Sequence, residues 1–187
     1  MSEPDPTPDW ATKPTLVGDL VTLRPFRDGD ASAMQQCFDP EVLRLTGSVH
    51  SSAEAEEEGR RHEPDQRTRD WYSTRNQQAD RLDLAVVDAD DTLVGEVVLN
   101  AWEPGNRACG FRILLGPRGR DRGLGTEATR LVLDHAFDVL GLHRVELEYY
   151  AFNPRAGRAY EKAGFVVGRE VGTRFGPAPR MHLQVTP

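Results

Sequence analysis

The sequence predicts a mixed α/β (α+β) domain built on one central, mostly antiparallel sheet flanked by helices. Three observations carry that expectation. Between residues 82 and 116, strand-like apolar runs follow one another across short turns, the pattern of sequential antiparallel strands. From Leu124 to Val139, apolar residues recur at helical spacing. After that helix, strand-like and helix-like segments interleave, so helices and strands share one layered domain. A chain of 187 residues fits one compact domain with a substantial core.

Taken in order, residues 1–14 carry Pro4, Pro6, Pro8 and Pro14 and little apolar content, so a disordered tail is expected before a single domain over 15–187. An opening strand is expected around Leu20–Arg24, closed by Pro25. Asp28 or Asp30 then caps a helix to about Phe38, with Met34, Cys37 and Phe38 on one face. Residues 50–80 are polar, and Ser51 or Ser52 ahead of Glu54–Glu58 reads as a capped, acid-fronted helix with a solvated face. The run LDLAVVDADDTLVGEVVLNAW gives two strands joined by an Asp-rich turn, and ACGFRILLG a third after the turn EPGN. The segment TEATRLVLDHAFDVLG is an amphipathic helix with Gly141 as its C-terminal cap. Val145, Leu147 and Tyr149 alternate as a strand. Pro154 and Gly164 bracket a short helix. FVVGREV and RMHLQV supply two last strands.

Composition narrows the function. Thirty acidic against 23 basic residues give a net charge of −7, which argues against a general nucleic-acid binder. A mean hydropathy of −0.57 and the lack of a long apolar run exclude a membrane span. The N-terminus has neither a basic flank nor an apolar core, so no secretory signal is expected. Cys37 and Cys109 are too few for a disulfide framework, and a reducing, cytoplasmic setting is expected. The five histidines show no ligand spacing, so no metal is expected. The basic charge is uneven. Residues 107–130 hold six Arg (Arg107, Arg112, Arg118, Arg120, Arg122, Arg130) against Asp121 and Glu127, so an anion belongs there.

The segment strand–RGRDRGLG–helix explains that excess. Gly123 and Gly125 clear side chains where the backbone enters the helix, so successive N–H groups and the helix dipole can face a phosphate. Arg118, Arg120 and Arg122 would screen it from the rim. A pyrophosphate is the natural guest. A Walker A loop is excluded by the absence of its Lys. Gly123-Leu124-Gly125-Thr126-Glu127-Ala128 matches G-x-G-x-x-A, the dinucleotide fingerprint. An Arg-rich insert separates it from its strand, however, and only 37 residues follow Tyr150, too few for the rest of a doubly wound sheet. A plain glycine-bearing helix cap with solvated arginines remains open for the loop taken alone.

The loop is followed, across a helix and a strand, by Asn153, Ala156, Tyr160, Glu161, Lys162, Gly164 and Phe165 in the run NPRAGRAYEKAGF. This pair of motifs resembles the GNAT superfamily of N-acetyltransferases, most closely its RimJ/RimL-type subgroup. The likeness covers roughly residues 15–187 and is most specific over 108–166. It implies a sheet splayed at a cofactor cleft and direct transfer of acetyl from acetyl-CoA to a primary amine in a ternary complex. It also implies a possible homodimer. A protein N-terminal amine comes first as acceptor; a polyamine, amino sugar or aminoglycoside comes second. A non-catalytic acyl-CoA-binding module is the alternative from another class, and another acyl-CoA is an alternative donor.

By the same resemblance, Ile113 and Leu115 lie along pantetheine, with strand N–H groups as oxyanion donors. Arg118, Arg120, Asp121, Arg122, Gly123, Leu124, Gly125 and Thr126 hold the pyrophosphate. Asn153 contacts the pantetheine arm, or else caps the helix that follows it. Tyr160 is the candidate general acid, since a phenol suits a thiolate leaving group. The family often carries a Glu on the strand before the loop, but alignment puts Ala108 there. Glu96 on the preceding strand is therefore the candidate base, beside a water chain or an acid such as Asp70. Trp71, Tyr72 and Trp102 are candidates for the acceptor pocket.

Overall fold

In a computed structural model, residues 7–46, 52–59, 63–173 and 176–184 are described. The chain begins with two strands, β1 (Leu16–Val17) and β2 (Val21–Arg24), followed by helices α1 (Asp30–Gln35), α2 (Pro40–Thr46), α3 (Ser52–Glu58) and α4 (Gln66–Ser73). Strands β3 (Leu82–Asp88), β4 (Leu93–Glu103) and β5 (Ala108–Leu115) form a meander. Helix α5 (Leu124–Asp134), prolonged by a π-helical turn over His135–Val139, leads to β6 (Arg144–Glu148). Helix α6 (Pro154–Lys162) and the hairpin β7 (Val166–Thr173) and β8 (Gly176–Gln184) complete the chain. The described strands form one sheet in the order β1-β2-β3-β4-β5-β6-β8-β7. Every pairing is antiparallel except β5 with β6. The predicted mixed α/β architecture is the one observed.

Each face of the sheet carries a core. On one side α5 and α6 cover Leu23, Leu84, Val86, Val97, Leu99 and Val145. On the other, α1, α2 and α4 cover Ala85, Val87 and Leu114 with Phe26, Met34 and Tyr72. Strand alternation sorts residues between the two. Thus Phe111, Ile113 and Leu115 face α5, whereas Leu114 faces the side occupied by Tyr72.

Two local expectations change. The segment Thr7–Pro14 is not a free tail. Trp10 is 3% exposed and packs on Trp102 with ring centroids 6.1 Å apart. The Lys13 ammonium donates to the carbonyls of Trp10, Gln78 and Arg81, all within 2.7 Å. Residues 1–6 lie outside the described part. The first helix is not capped by an aspartate. Gly29, with φ of 91°, occupies the cap, while the buried Asp30 carboxylate pairs with Arg24 at 2.7 Å and accepts from the Arg27 N–H. Helix α3 does begin near its expected place, at Ser52, but Ser51 is not among the described residues, and α2 lies where no helix was expected.

Candidate active site

The cleft exists because one strand pair comes apart. β5 and β6 pair only over Ala108–Gly110 and Arg144–Glu146. Beyond that point the two strands run on without a common ladder, β5 as Phe111–Leu115 and β6 as Leu147–Glu148. The Gly116 N–H donates to the Val94 carbonyl on β4. Strand alternation therefore turns the N–H groups of Ile113 and Leu115 toward the gap, while that of Phe111 meets β6 at the last step of the shared ladder. An open cleft of about 1080 Å³ occupies this break, with Phe111–Leu115 on one wall and Glu148, Tyr149, Tyr150 and Asn153 on the other.

The N-terminus of α5 closes one end of the cleft. Gly123 has φ of 80°, a left-handed conformation that suits glycine. At Gly125, a Cβ would sit 2.9 Å from Leu115 Cδ1, so the helix can seat this close to β5 only without one. Gly119, Arg120, Asp121, Gly123, Gly125 and Thr126 line the cleft at this end. In the first turn of this eleven-residue helix the Thr126 N–H meets the Gly123 carbonyl, whereas the amides of Leu124 and Gly125 have no backbone carbonyl partner among the described residues and form a ready anion cradle.

The loop arginines are placed differently from the expectation that they screen a phosphate from the rim. Arg120 donates to Asp39 Oδ1 and Glu41 Oε2, each at 2.6 Å, and its Nε donates to the Leu115 carbonyl. It clamps the loop to the start of α2. Arg122 pairs with Asp88 at 3.2 Å, and neither Arg122 nor Arg118 lies on the cleft wall. The Leu124 side chain is 3% exposed and belongs to the core. Asp121 holds Arg155 of α6, which also reaches Glu41 at 2.7 Å. Arg120 and Arg122 are thus held by carboxylates of the protein itself, while Arg118 is exposed and has no ion pair among the described residues. Ile113 and Leu115 lie on the β5 wall of the cleft. Asn153 lines the opposite wall and also caps α6, its Oδ1 accepting from the Ala156 N–H at 3.2 Å.

Glu96 and Tyr160 both reach this cleft. Glu96 sits in register between Ala85 and Leu114, beneath Tyr72 of α4. Burial is the main influence on its carboxyl. It raises the pKa to about 7, against the opposing pull of Arg112, Arg81 and a hydrogen bond from Tyr72; Asp83 pushes the same way as burial. The Tyr72 phenol, buried beside that carboxylate, is held in its protonated form. Tyr160 is 8% exposed and packs edge-on against Phe111, Tyr149 and Phe165. Burial pushes its phenol well above the usual range, so it keeps a proton to give.

Among the acceptor-pocket candidates, Trp71 and Tyr72 line the cleft. Trp102 instead packs on Trp10 away from it. Asp70 is exposed, accepts from Gln66 Nε2 and is absent from the cleft wall. Cys37 and Cys109 are buried, and burial raises both thiols to about 12, so neither offers a thiolate near neutrality. The sequence reading did not single out Arg112 or Tyr149 for this cleft. Strand alternation was the available signal for Arg112, since residues 112 and 114 share the face to which Glu96 belongs.

A family model described as the acetyltransferase (GNAT) domain matches residues 21–166. The chain belongs to the GNAT acetyltransferase family. This GNAT chain is 33% identical over 83 residues to the spermidine N(1)-acetyltransferase of Vibrio cholerae, a match covering 44% of this chain and 48% of that one. It is 40% identical over 78 residues to the probable N-acetyltransferase YjcK of Bacillus subtilis, covering 41% and 43%. The chain thus matches about half the length of these curated relatives. Its fold is similar to that of a GCN5-related N-acetyltransferase from Brucella melitensis (TM-score 0.73, 21% identity, 96% of this chain and 83% of that one). It is also similar to the spermidine N-acetyltransferase of Vibrio cholerae solved with CoA and spermine (TM-score 0.70, 22% identity, 89% and 96%). A GNAT acetyltransferase domain takes acetyl-CoA as its acyl donor. Among the described residues, no helix is long and apolar enough to cross a membrane.

Proposed function

We propose that this chain transfers the acetyl group of acetyl-CoA directly to a primary amine, with both substrates in the cleft between β5 and β6. The observation that carries the reading is the break in the sheet itself. It presents unpaired strand amides next to a helix N-terminus, with one buried acid and one buried phenol on the same cleft. Backbone N–H groups of Gly123, Gly125 and the first turn of α5 would hold the pyrophosphate. Ile113 and Leu115 would pair with the pantetheine amides, and the Asn153 amide nitrogen remains available to donate toward that arm.

Acetyl-CoA supplies an electrophilic thioester carbonyl. Glu96, ionised above about pH 7, accepts the proton that the acceptor ammonium gives up. The freed lone pair forms the new N–C bond, a strand N–H on β5 steadies the carbonyl oxygen as it gains charge, and the C–S bond breaks. The attacking nitrogen sheds its second proton to become a neutral amide, and Tyr160, which donates its own proton to the departing sulfur, regains one from that nitrogen by way of solvent. Holding both partners in line contributes several kcal/mol on its own. Neither buried cysteine is suited to act as an acetyl carrier, which favours direct transfer over an acetyl-enzyme route.

A protein N-terminal amine is the acceptor we place first, as in the RimJ/RimL-type subgroup. The second reading, a polyamine, is favoured by one observation: a relative named as a spermidine N(1)-acetyltransferase aligns at 33% identity. Thiol release from acetyl-CoA across a panel of N-terminal peptides and small amines tests the proposal. Amine-dependent release is the expected outcome; tight acetyl-CoA binding without turnover of any amine would instead favour a non-catalytic acyl-CoA module.

A further inference from the structure

Most charged groups around the cleft already have partners. Arg120 and Arg155 are held by Asp39, Glu41 and Asp121. Asp65 caps α4, accepting from the Thr68 N–H at 2.8 Å, and Glu58 and Glu148 are likewise partnered. Arg112 differs. It is an exposed residue of β5 on the cleft wall, and among the described residues its guanidinium has no hydrogen bond or ion pair. Arg67, on the cleft face of α4 one turn before Trp71, is in the same condition.

The register fixes where Arg112 points relative to the acid. Glu96 lies opposite Leu114, and Val98 lies opposite Arg112. Glu96 and Arg112 are therefore diagonal neighbours on one face of adjacent strands, with Cβ atoms about 7–8 Å apart. Arg112 is the foremost charge acting on the Glu96 carboxyl, which agrees with that placement. A guanidinium in this position is a planar, permanently charged fork suited to a carboxylate. A polycation entering the same space would meet Arg112 and Arg67, neither of which has a hydrogen bond or ion pair among the described residues, an arrangement that selects against it.

Given the transferase reading above, on which this rests, we infer that the acceptor is an acidic amine. Its primary amine faces Glu96, and a carboxylate a few ångströms away on the same molecule is held by Arg112. Two sources share that chemistry: a free amino acid, and a protein N-terminus with Asp or Glu in its first residues.

Matched pairs test the inference, because both members present the same amine to Glu96 and any effect of Arg112 on that acid cancels in their ratio. Phenylalanine against phenethylamine and lysine against cadaverine form the free amino-acid arm. C-terminally amidated Ser-Glu peptides against Ser-Gln peptides form the N-terminal arm, and spermidine is the polycation. The carboxylate member is expected to win by about 10- to 100-fold in kcat/KM in at least one arm, through KM. Arg112→Gln should bring that ratio toward one, and Arg112→Lys should keep part of it. Equal or better turnover of the members lacking the carboxylate, or of spermidine, overturns the inference while leaving amine acetylation standing. An unchanged ratio in Arg112→Gln, with melting temperature and acetyl-CoA binding retained, also overturns it. Absence of thiol release with every amine overturns the transferase reading itself, and this inference with it.

Discussion

Glu96 shares its side of the sheet with Ala85, Val87, Leu114 and Tyr72, so its negative charge is formed in poorly solvated surroundings. A carboxyl raised to about 7 is protonated in the folded chain over a range where the unfolded chain is already ionised. The folded state then binds more protons between about pH 4.5 and 7, and its stability falls as pH rises through that window. Glu96→Gln should therefore be more stable than the parent at pH 8, by on the order of 3 kcal/mol, with the gap closing toward pH 4.5. Denaturant titrations at both pH values check this. The activity profile should run the opposite way, with kcat/KM rising through an apparent pKa near 7; Glu96→Gln should lose about 100-fold or more together with that titration. Tyr160→Phe keeps the ring packing on Phe111 and Phe165, so kcat should drop by about 100-fold with acetyl-CoA binding intact. Full kcat in that variant would remove Tyr160 from its role as acid. Both residues could be found from motif and position. The environment that sets their proton affinities was not visible in the sequence, because it is assembled from β3, β5 and α4 together.

The loop between β5 and α5 shows how an element can be placed correctly and its chemistry only half read. Gly123 and Gly125 mark the turn into the helix in the sequence as they do in the fold. The arginines before them looked free because Asp39 and Glu41 are 81 and 79 residues from Arg120, and Asp88 is 34 from Arg122, separations at which no local pattern announces an ion pair. Arg120 is thus a clasp between the loop and α2. Arg120→Ala leaves two carboxylates and the Leu115 carbonyl without their donor, and should lower stability by about 2 kcal/mol. That is about 4–8 °C in Tm for a chain of this size. Calorimetry checks it, and the KM for acetyl-CoA should rise in the same variant as the cradle loosens. The segment before β1 was misread for a related reason. Its prolines signal disorder, whereas the burial of Trp10 depends on Trp102 and on the carbonyls beside β3 that receive Lys13.

At the scale of the molecule, the order of strands and helices was legible because each run is long and keeps its period. The splay between β5 and β6 was expected from the family resemblance rather than from any periodicity, and its local mark is Gly110 at the last paired position of β5. Of the six arginines over residues 107–130, Arg120 and Arg122 meet Asp39, Glu41 and Asp88, so an overall charge of −7 conceals ion pairs that join distant parts of the chain. Acetyl-CoA should stabilise the whole chain by about 2.7 kcal/mol at a hundredfold excess over Kd, and NAD(H) should leave it unchanged; a thermal-shift titration reads both. The parted strands carry one more consequence. A sheet with an unpaired row of amides in its middle is an unfinished sheet, and such rows usually recruit another strand. Here β6 stands on one side and α5 on the other, so a second polypeptide has little room, while a thin, amide-bearing chain such as pantetheine can enter. The donor then serves as a removable strand. In deuterium exchange, the amides of Ile113 and Leu115 should exchange quickly in the free protein and slowly once acetyl-CoA is bound, while Phe111, bonded to β6, and Arg112 and Leu114, bonded to β4, should change little.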